Sequence, residues 1–187
     1  MDLDRHGYAV LTLHRPSNVD DPVQLRSTIE AIASIAQKLP VLFPIHPRTA
    51  ANAAKFNINH MHPWDGSSPI GKSGIWTMPP ASYIDFLALV ENSAMVITDS
   101  GGIQEETTYL GVPCLTFRNS TERPITVTDG TNRLIGNDPA KLYEEAAKIL
   151  KQGHARTNHQ PPPLWDGRAS ERIVEVIRNY LGRSSAA

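Results

Sequence analysis

The chain has a single cysteine, Cys114, in 187 residues, so no disulfide can close within it. That suits a reducing compartment, and the expected location is the cytoplasm. Cys114 lies in the apolar run Val112 to Phe117 and reads as core packing. An excess of either charge is missing too. The formal net charge is -1 and the isoelectric point about 6.6, which offers no basic face to nucleic acid or to a membrane. No apolar run approaches the length of a membrane span. The opening residues, with Asp2, Asp4 and Arg5, do not read as a signal peptide. Internal repeats and low-complexity tracts are absent. His60-Met61-His62 has no cysteine or carboxylate partner at metal-ligand spacing and reads as a solvated loop, so neither a metal nor a cofactor is expected. A nucleophile elbow, a P-loop and the full dinucleotide fingerprint are also missing.

What is present is the composition of an ordinary globular domain, 40% hydrophobic and 20% charged, long enough to bury a core. Tyr8 to Leu13 reads as a strand, and it begins so early that no other domain is expected before it. Asp21-Pro22 reads as an N-cap with proline at the first helical position. Leu25, Ile29, Ile32, Ala36 and Leu39 then recur at helical spacing. Further strands are expected at Pro40 to Ile45, Ile75 to Met78, Met95 to Thr98 and Pro113 to Phe117, with a weak one near Arg133 to Ile135. Helices are expected around Ala50 to Lys55, from Pro79-Pro80 with Tyr83, Phe86, Leu87 and Val90 as its apolar face, and over Pro139 to Leu150 and Ala169 to Leu181. Asn57 to Ser73 reads as loop. Strands alternating with helices predict an α/β fold, a doubly wound parallel sheet. Ligands of such sheets bind beyond the carboxyl ends of the strands. His14-Arg15, His46, Asp99-Ser100 and the stretch from Arg118 to Arg123 fall at those ends.

The stretch Thr98-Asp99-Ser100-Gly101-Gly102-Ile103-Gln104-Glu105-Glu106 stands out. Ser100, Gly101 and Gly102 lie between a buried strand and a short helix expected from Glu105 to Leu110, which stops at Gly111. Glycines there let the backbone approach a ligand and adopt angles closed to other residues. The unpaired amides of a helix N-terminus favour an anion such as phosphate. Glu106, one turn in, can lean back and accept from hydroxyls, as on a ribose attached to that phosphate. The plainer alternative is a strand–helix turn with solvated glutamates.

This stretch resembles the signature of the non-hydrolysing, bacterial-type UDP-N-acetylglucosamine 2-epimerases. Thr12-Leu13-His14-Arg15, Pro44-Ile45-His46-Pro47, Thr121-Glu122-Arg123-Pro124, Gly130-Thr131-Asn132-Arg133-Leu134 and Ala169-Ser170-Glu171-Arg172-Ile173 follow in the family's order. Ser17 and Ile125 stand where the family often has glutamate. The resemblance implies the C-terminal, Rossmann-like half of a GT-B architecture, with the N-terminal domain absent from this sequence. It implies UDP held by Ser100, Gly101 and Gly102 at the diphosphate, Glu106 at the ribose, Arg123 near the diphosphate, and Phe86 and Ala81 near the uracil. His14 would sit at the reacting sugar. The implied reaction interconverts UDP-GlcNAc and UDP-ManNAc by eliminating and re-adding UDP, with proton-transfer carboxylates drawn mostly from the other domain. The implied partners are a UDP-sugar, that N-terminal domain and, in the full-length protein, a second copy. Two alternatives compete: the nucleotide-binding domain of a GT-B glycosyltransferase, and a nucleotide-sugar sensor without chemistry.

Overall fold

The computed structural model describes residues 3–153 and 160–184. In chain order its elements are β1 (Ala9–Thr12), α1 (Pro16–Val19), α2 (Pro22–Ile35), β2 (Val41–Pro44), α3 (Pro47–Lys55), β3 (Met61–Pro63), β4 (Ile75–Met78), α4 (Tyr83–Glu91), β5 (Met95–Thr98), α5 (Gly101–Leu110), β6 (Cys114–Thr116), α6 (Ile125–Thr128), β7 (Asn132–Leu134), α7 (Pro139–Gln152) and α8 (Ala169–Ser184). The strands form one seven-stranded sheet in the order β3-β4-β2-β1-β5-β6-β7. Every pairing is parallel.

The central strands are continuously apolar because both faces of the sheet are covered. Alternate side chains enter different cores. Ala9, Leu11, Val41, Phe43, Met95 and Ile97 join α2 and α7 on one face. Val10, Leu42 and Val96 meet Phe86, Val90 and Ile103 of α4 and α5 on the other. α2 begins as its sequence specifies: Asp21 accepts from the Gln24 amide at 2.7 Å, with Pro22 at the first helical position. Gly111, at φ 72°, ends α5 in the left-handed conformation.

The structure departs from the sequence expectations in several places. The expected loop from Asn57 to Ser73 contains β3, an edge strand in which Pro63 is tolerated and which carries His62. α5 begins at Gly101 rather than Glu105. Two single-turn helices, α1 and α6, were not expected. Tyr83 is 62% exposed and is not among the side chains that join the core beneath α4. On α8, the apolar side chains of Ile173, Val176 and Ile177 are exposed.

Setting β3 aside, the remaining order is the Rossmann pattern, with the chain starting in the middle and winding outward both ways. The reversal falls between β1 and β5. Their carboxyl ends therefore flank a crevice, and they carry His14 and Ser100.

Candidate functional site

The crevice is built on a pair of threonines. Thr12 and Thr98 are register partners, and their hydroxyls lie 2.7 Å apart. Thr98 Oγ1 also accepts from the Ser100 amide at 3.0 Å, which turns the chain out of β5 toward α5. Between them Asp99 is fully buried. Its carboxylate accepts from the His14 amide at 3.1 Å, the Arg15 amide at 2.8 Å and Asn18 Nδ2 at 3.0 Å. His14 Nδ1 lies 2.9 Å from Asp99 Oδ1. A carboxylate only accepts, so Nδ1 carries the proton. The bond that His14 donates to Asp99 raises the His14 pKa and outweighs burial and the neighbouring Arg15 charge. Burial alone would raise the Asp99 pKa. The bonds from His14, Arg15 and Asn18 prevail and hold it below the ordinary carboxylate value.

Ser100 is the N-cap of α5, and among the described residues its side chain makes no capping bond to the helix. Gly101 and Gly102 are the first two helical residues, and neither has a positive φ. They are therefore not there for unusual angles, contrary to part of the sequence expectation. Packing within the chain does not require them either. A Cβ on Gly101 would lie 3.8 Å from Glu122 Oε2 and 3.9 Å from Arg118 Nη1, while at Gly102 no described atom beyond its own helix and neighbours comes within 4 Å. The first turn of α5 thus faces a charged cluster on one side and open space on the other.

That cluster joins Arg15, Arg118 and Arg123 to Glu105 and Glu122. Arg118, 8% exposed, forks onto Glu122 at 2.9 and 2.6 Å. This pairing lowers the Glu122 pKa to about 2. Arg15 Nη2 is 4.0 Å from Glu122, and Arg123 Nε is 2.7 Å from Glu105. Three guanidinium groups against two carboxylates leave the cluster positive beside the positive end of α5.

A buried polar network fixes the loop that carries Arg123. Gln104 Nε2 donates to the Ser100 carbonyl at 2.9 Å, and its Oε1 accepts from Thr121 Oγ1 at 2.6 Å and Asn132 Nδ2 at 3.0 Å. Asn132 accepts from Thr116 at 2.6 Å and donates to Thr126 at 3.2 Å. Thr121 Oγ1 then accepts from the Arg123 amide at 3.0 Å. Gln104 thereby ties the start of α5 to the loop that presents the arginine.

Of the expected site residues, His14, Ala81, Phe86 and Ser100 line one cavity of about 200 Å³. His46 lines it too, its ring centroid 6.0 Å from that of His14. Gly101 and Arg123 meet at the charged cluster beside it. Glu106 is half-buried on α5 and takes a hydrogen bond from Tyr83 of α4. Burial, countered by that bond and helped by the Glu105 charge, raises its pKa. Sequence reasoning put Asp99 and Arg118 at strand ends without a specific role, set Tyr83 on the apolar face of its helix, and did not single out Gln104. The only available signal was position: Asp99 and Arg118 each follow a buried strand.

Cys114 is buried, and burial pushes its thiol up to about 11, so it packs rather than reacts. Among the described residues no group of three or more histidine, cysteine, aspartate or glutamate side chains could hold a metal ion. None of the described helices is long and apolar enough to cross a membrane.

The family model described as UDP-N-acetylglucosamine 2-epimerase matches residues 1–178. The UDP-N-acetylglucosamine 2-epimerase of Methanocaldococcus jannaschii is 37% identical over 172 residues, covering 91% of this chain and 44% of that protein. The UDP-2,3-diacetamido-2,3-dideoxy-D-glucuronate 2-epimerase of Pseudomonas aeruginosa is 34% identical over 173 residues, with 91% and 44% covered. The crystal structure of the M. jannaschii epimerase in complex with UDP-GlcNAc and UDP superposes with a TM-score of 0.75 at 36% identity, over 95% of this chain and 46% of that one. The chain therefore spans less than half the length of these relatives. Its motifs, its sheet order and these likenesses agree: the chain belongs to the UDP-N-acetylglucosamine 2-epimerase family.

Proposed function

We propose that the chain is the UDP-binding half of a nucleotide-sugar 2-epimerase that interconverts UDP-GlcNAc and UDP-ManNAc. The observation that carries this reading is the junction of the α5 N-terminus with the arginine cluster, beside the cavity lined by His14. Amides of the first turn of α5 and Arg123 take the diphosphate. Phe86 and Ala81 receive the uracil, and Glu106 accepts from the ribose. In the reaction a base removes the proton from C2 of the sugar. The C1–O bond breaks, and UDP leaves with the electron pair. The resulting glycal takes a proton on its other face as UDP adds back. This half stabilises the charge that develops on departing UDP, a kind of contact worth about 3–4 kcal/mol per donor in a water-excluded site. His14, charged over a wider pH range through Asp99, faces that oxygen from the β1 side. The proton-transfer groups at C2 come from a further domain, which occupies the rest of the relatives' length and for which the apolar face of α8 offers a surface.

The M. jannaschii structure named above holds UDP-GlcNAc and UDP, and that supports the ligand class. The sugar itself stays a second variable, because the Pseudomonas relative is named for a diacetamido-glucuronate and Ile125 departs from the family's usual glutamate. Titration calorimetry tests the nucleotide site. With one wall of a cleft, UDP should bind with a dissociation constant of about 0.1–1 mM. No binding at several millimolar UDP overturns the reading.

A further inference from the structure

The four groups around the Asp99 carboxylate are all donors: two backbone amides, the Asn18 amide and His14 Nδ1. Only an acceptor on every side satisfies such a set, and an asparagine there would turn its own N–H groups toward one of the donors. Backbone and Asn18 bonds alone would make Asp99 a staple between the ends of β1 and β5. The His14 bond does something more. It occupies Nδ1 and leaves Nε2 as the polar atom of a half-exposed ring that lines the cavity.

We infer that Asp99 is a positioning residue for His14: the buried carboxylate sets the tautomer of the ring, its orientation and the nitrogen it presents to the cavity. The charged and titratable groups that face His14 come from three strand ends. Arg15 follows it in the chain and opposes its protonation. His46 at the end of β2 stands across the cavity, and Asp99 at the end of β5 favours the charged ring. Of these, Asp99 dominates. The consequence falls at Nε2, which accepts while the ring is neutral and donates once it is charged; Asp99 keeps the ring charged over a wider pH range than a free imidazole and aims that nitrogen at the place where an anion develops. That last step rests on the reading of the cavity as a UDP site; the dyad itself does not.

The test is long-range proton–nitrogen NMR of the 15N-labelled protein titrated across neutral pH, with the His14 signals assigned through His14→Gln. Neutral His14 is expected as the Nδ1–H tautomer, the minor form of free imidazole, with a titration midpoint above 6.5. Asn18→Ala removes a bond to Asp99 but not the dyad, so it should lower stability and leave that midpoint in place. Asp99→Asn should return the midpoint toward the ordinary value, mix the tautomers and weaken UDP severalfold at acidic pH. An Nε2–H tautomer in the unmutated protein overturns the assignment, even if Asp99→Asn fails to fold. So does a midpoint that Asp99→Asn leaves unmoved. If the dyad behaves as stated and UDP leaves the His14 signals unshifted, the assignment stands and the UDP reading fails.

Discussion

Glu105 and Glu106 are neighbours on α5 and serve opposite flanks of it. Glu105 pairs with Arg123, whereas Glu106 meets Tyr83 of α4. Successive helical side chains diverge by about 100°, so one turn of helix addresses both the charged cluster and the α4 side.

The division separates two substitutions. Glu106→Ala should weaken UDP about ten- to a hundredfold, the loss of bonds to a charged acceptor worth roughly 1.5–3 kcal/mol. It should leave inorganic pyrophosphate, which has no ribose, unaffected or slightly tighter. Glu105→Ala should change both ligands by the same factor, because it acts on Arg123. Parallel calorimetric titrations with UDP and pyrophosphate read the contrast. Equal losses for the two ligands in Glu106→Ala would remove the ribose role.

Gly102→Ala separates stability from binding. The position is helical with space around it, so alanine should leave the melting temperature unchanged or slightly raised. On the proposed function the same methyl group stands where a phosphate oxygen approaches, and UDP affinity should fall at least about tenfold, or 1.4 kcal/mol. A melting scan and a UDP titration on one preparation decide it. Undiminished binding would place the phosphate elsewhere.

Gln104→Leu should act on stability first. It leaves the Ser100 carbonyl, Thr121 and Asn132 without their shared partner inside the protein. Each buried group left unsatisfied costs about 1–3 kcal/mol, and some will find water or one another. A net loss of about 2–4 kcal/mol in urea unfolding is expected, with weaker binding following from a loosened Arg123 loop. A loss below about 0.5 kcal/mol would show that the network is not what holds that loop.

The His14–Asp99 pair also sets a pH dependence of stability. His14 has a raised pKa in the folded protein. Its contribution is complete below the unfolded value near 6.5 and is lost as pH rises through the folded one. Asp99 has a lowered pKa, so its contribution is present above the unfolded value near 3.8 and is lost as pH falls through the folded one. The urea midpoint of the protein should therefore exceed that of His14→Gln by more at about pH 5.5 than at about pH 8.5. A constant difference would mean that the ring's charge plays no part.

The sheet was legible where burial dictates composition. Val10, Leu42 and Val96 sit in apolar runs that only a doubly covered strand requires. β3 was not, because Met61-His62-Pro63 has no strand-forming preference and is extended only through its register with β4. The start of α5 was hidden by its glycines, which discourage a helical reading although the first helical amides need no intrahelical partner. Around the crevice, the strand-end positions of His14, Asp99 and Ser100 and the place of Arg123 in its loop were legible. The bonds made by Asp99 and Gln104 were not: the partners of Asp99 lie 81 to 85 residues away and those of Gln104 as far as 28, so no local pattern records them.

Arg118 and Arg123 each already hold a glutamate, and this gives the site a resident counter-ion. An incoming anion does not meet bare cations. It must outcompete the Glu122 carboxylate on a forked guanidinium or share it, and a singly charged ion such as chloride has neither the charge nor the two oxygens to do so. On the proposed function, selection for a diphosphate over simple salts is then exerted by an acidic residue. Affinity for pyrophosphate should fall only gently with sodium chloride, and Glu122→Gln should steepen that dependence. A slope that Glu122→Gln leaves unchanged would show that the carboxylate is a bystander.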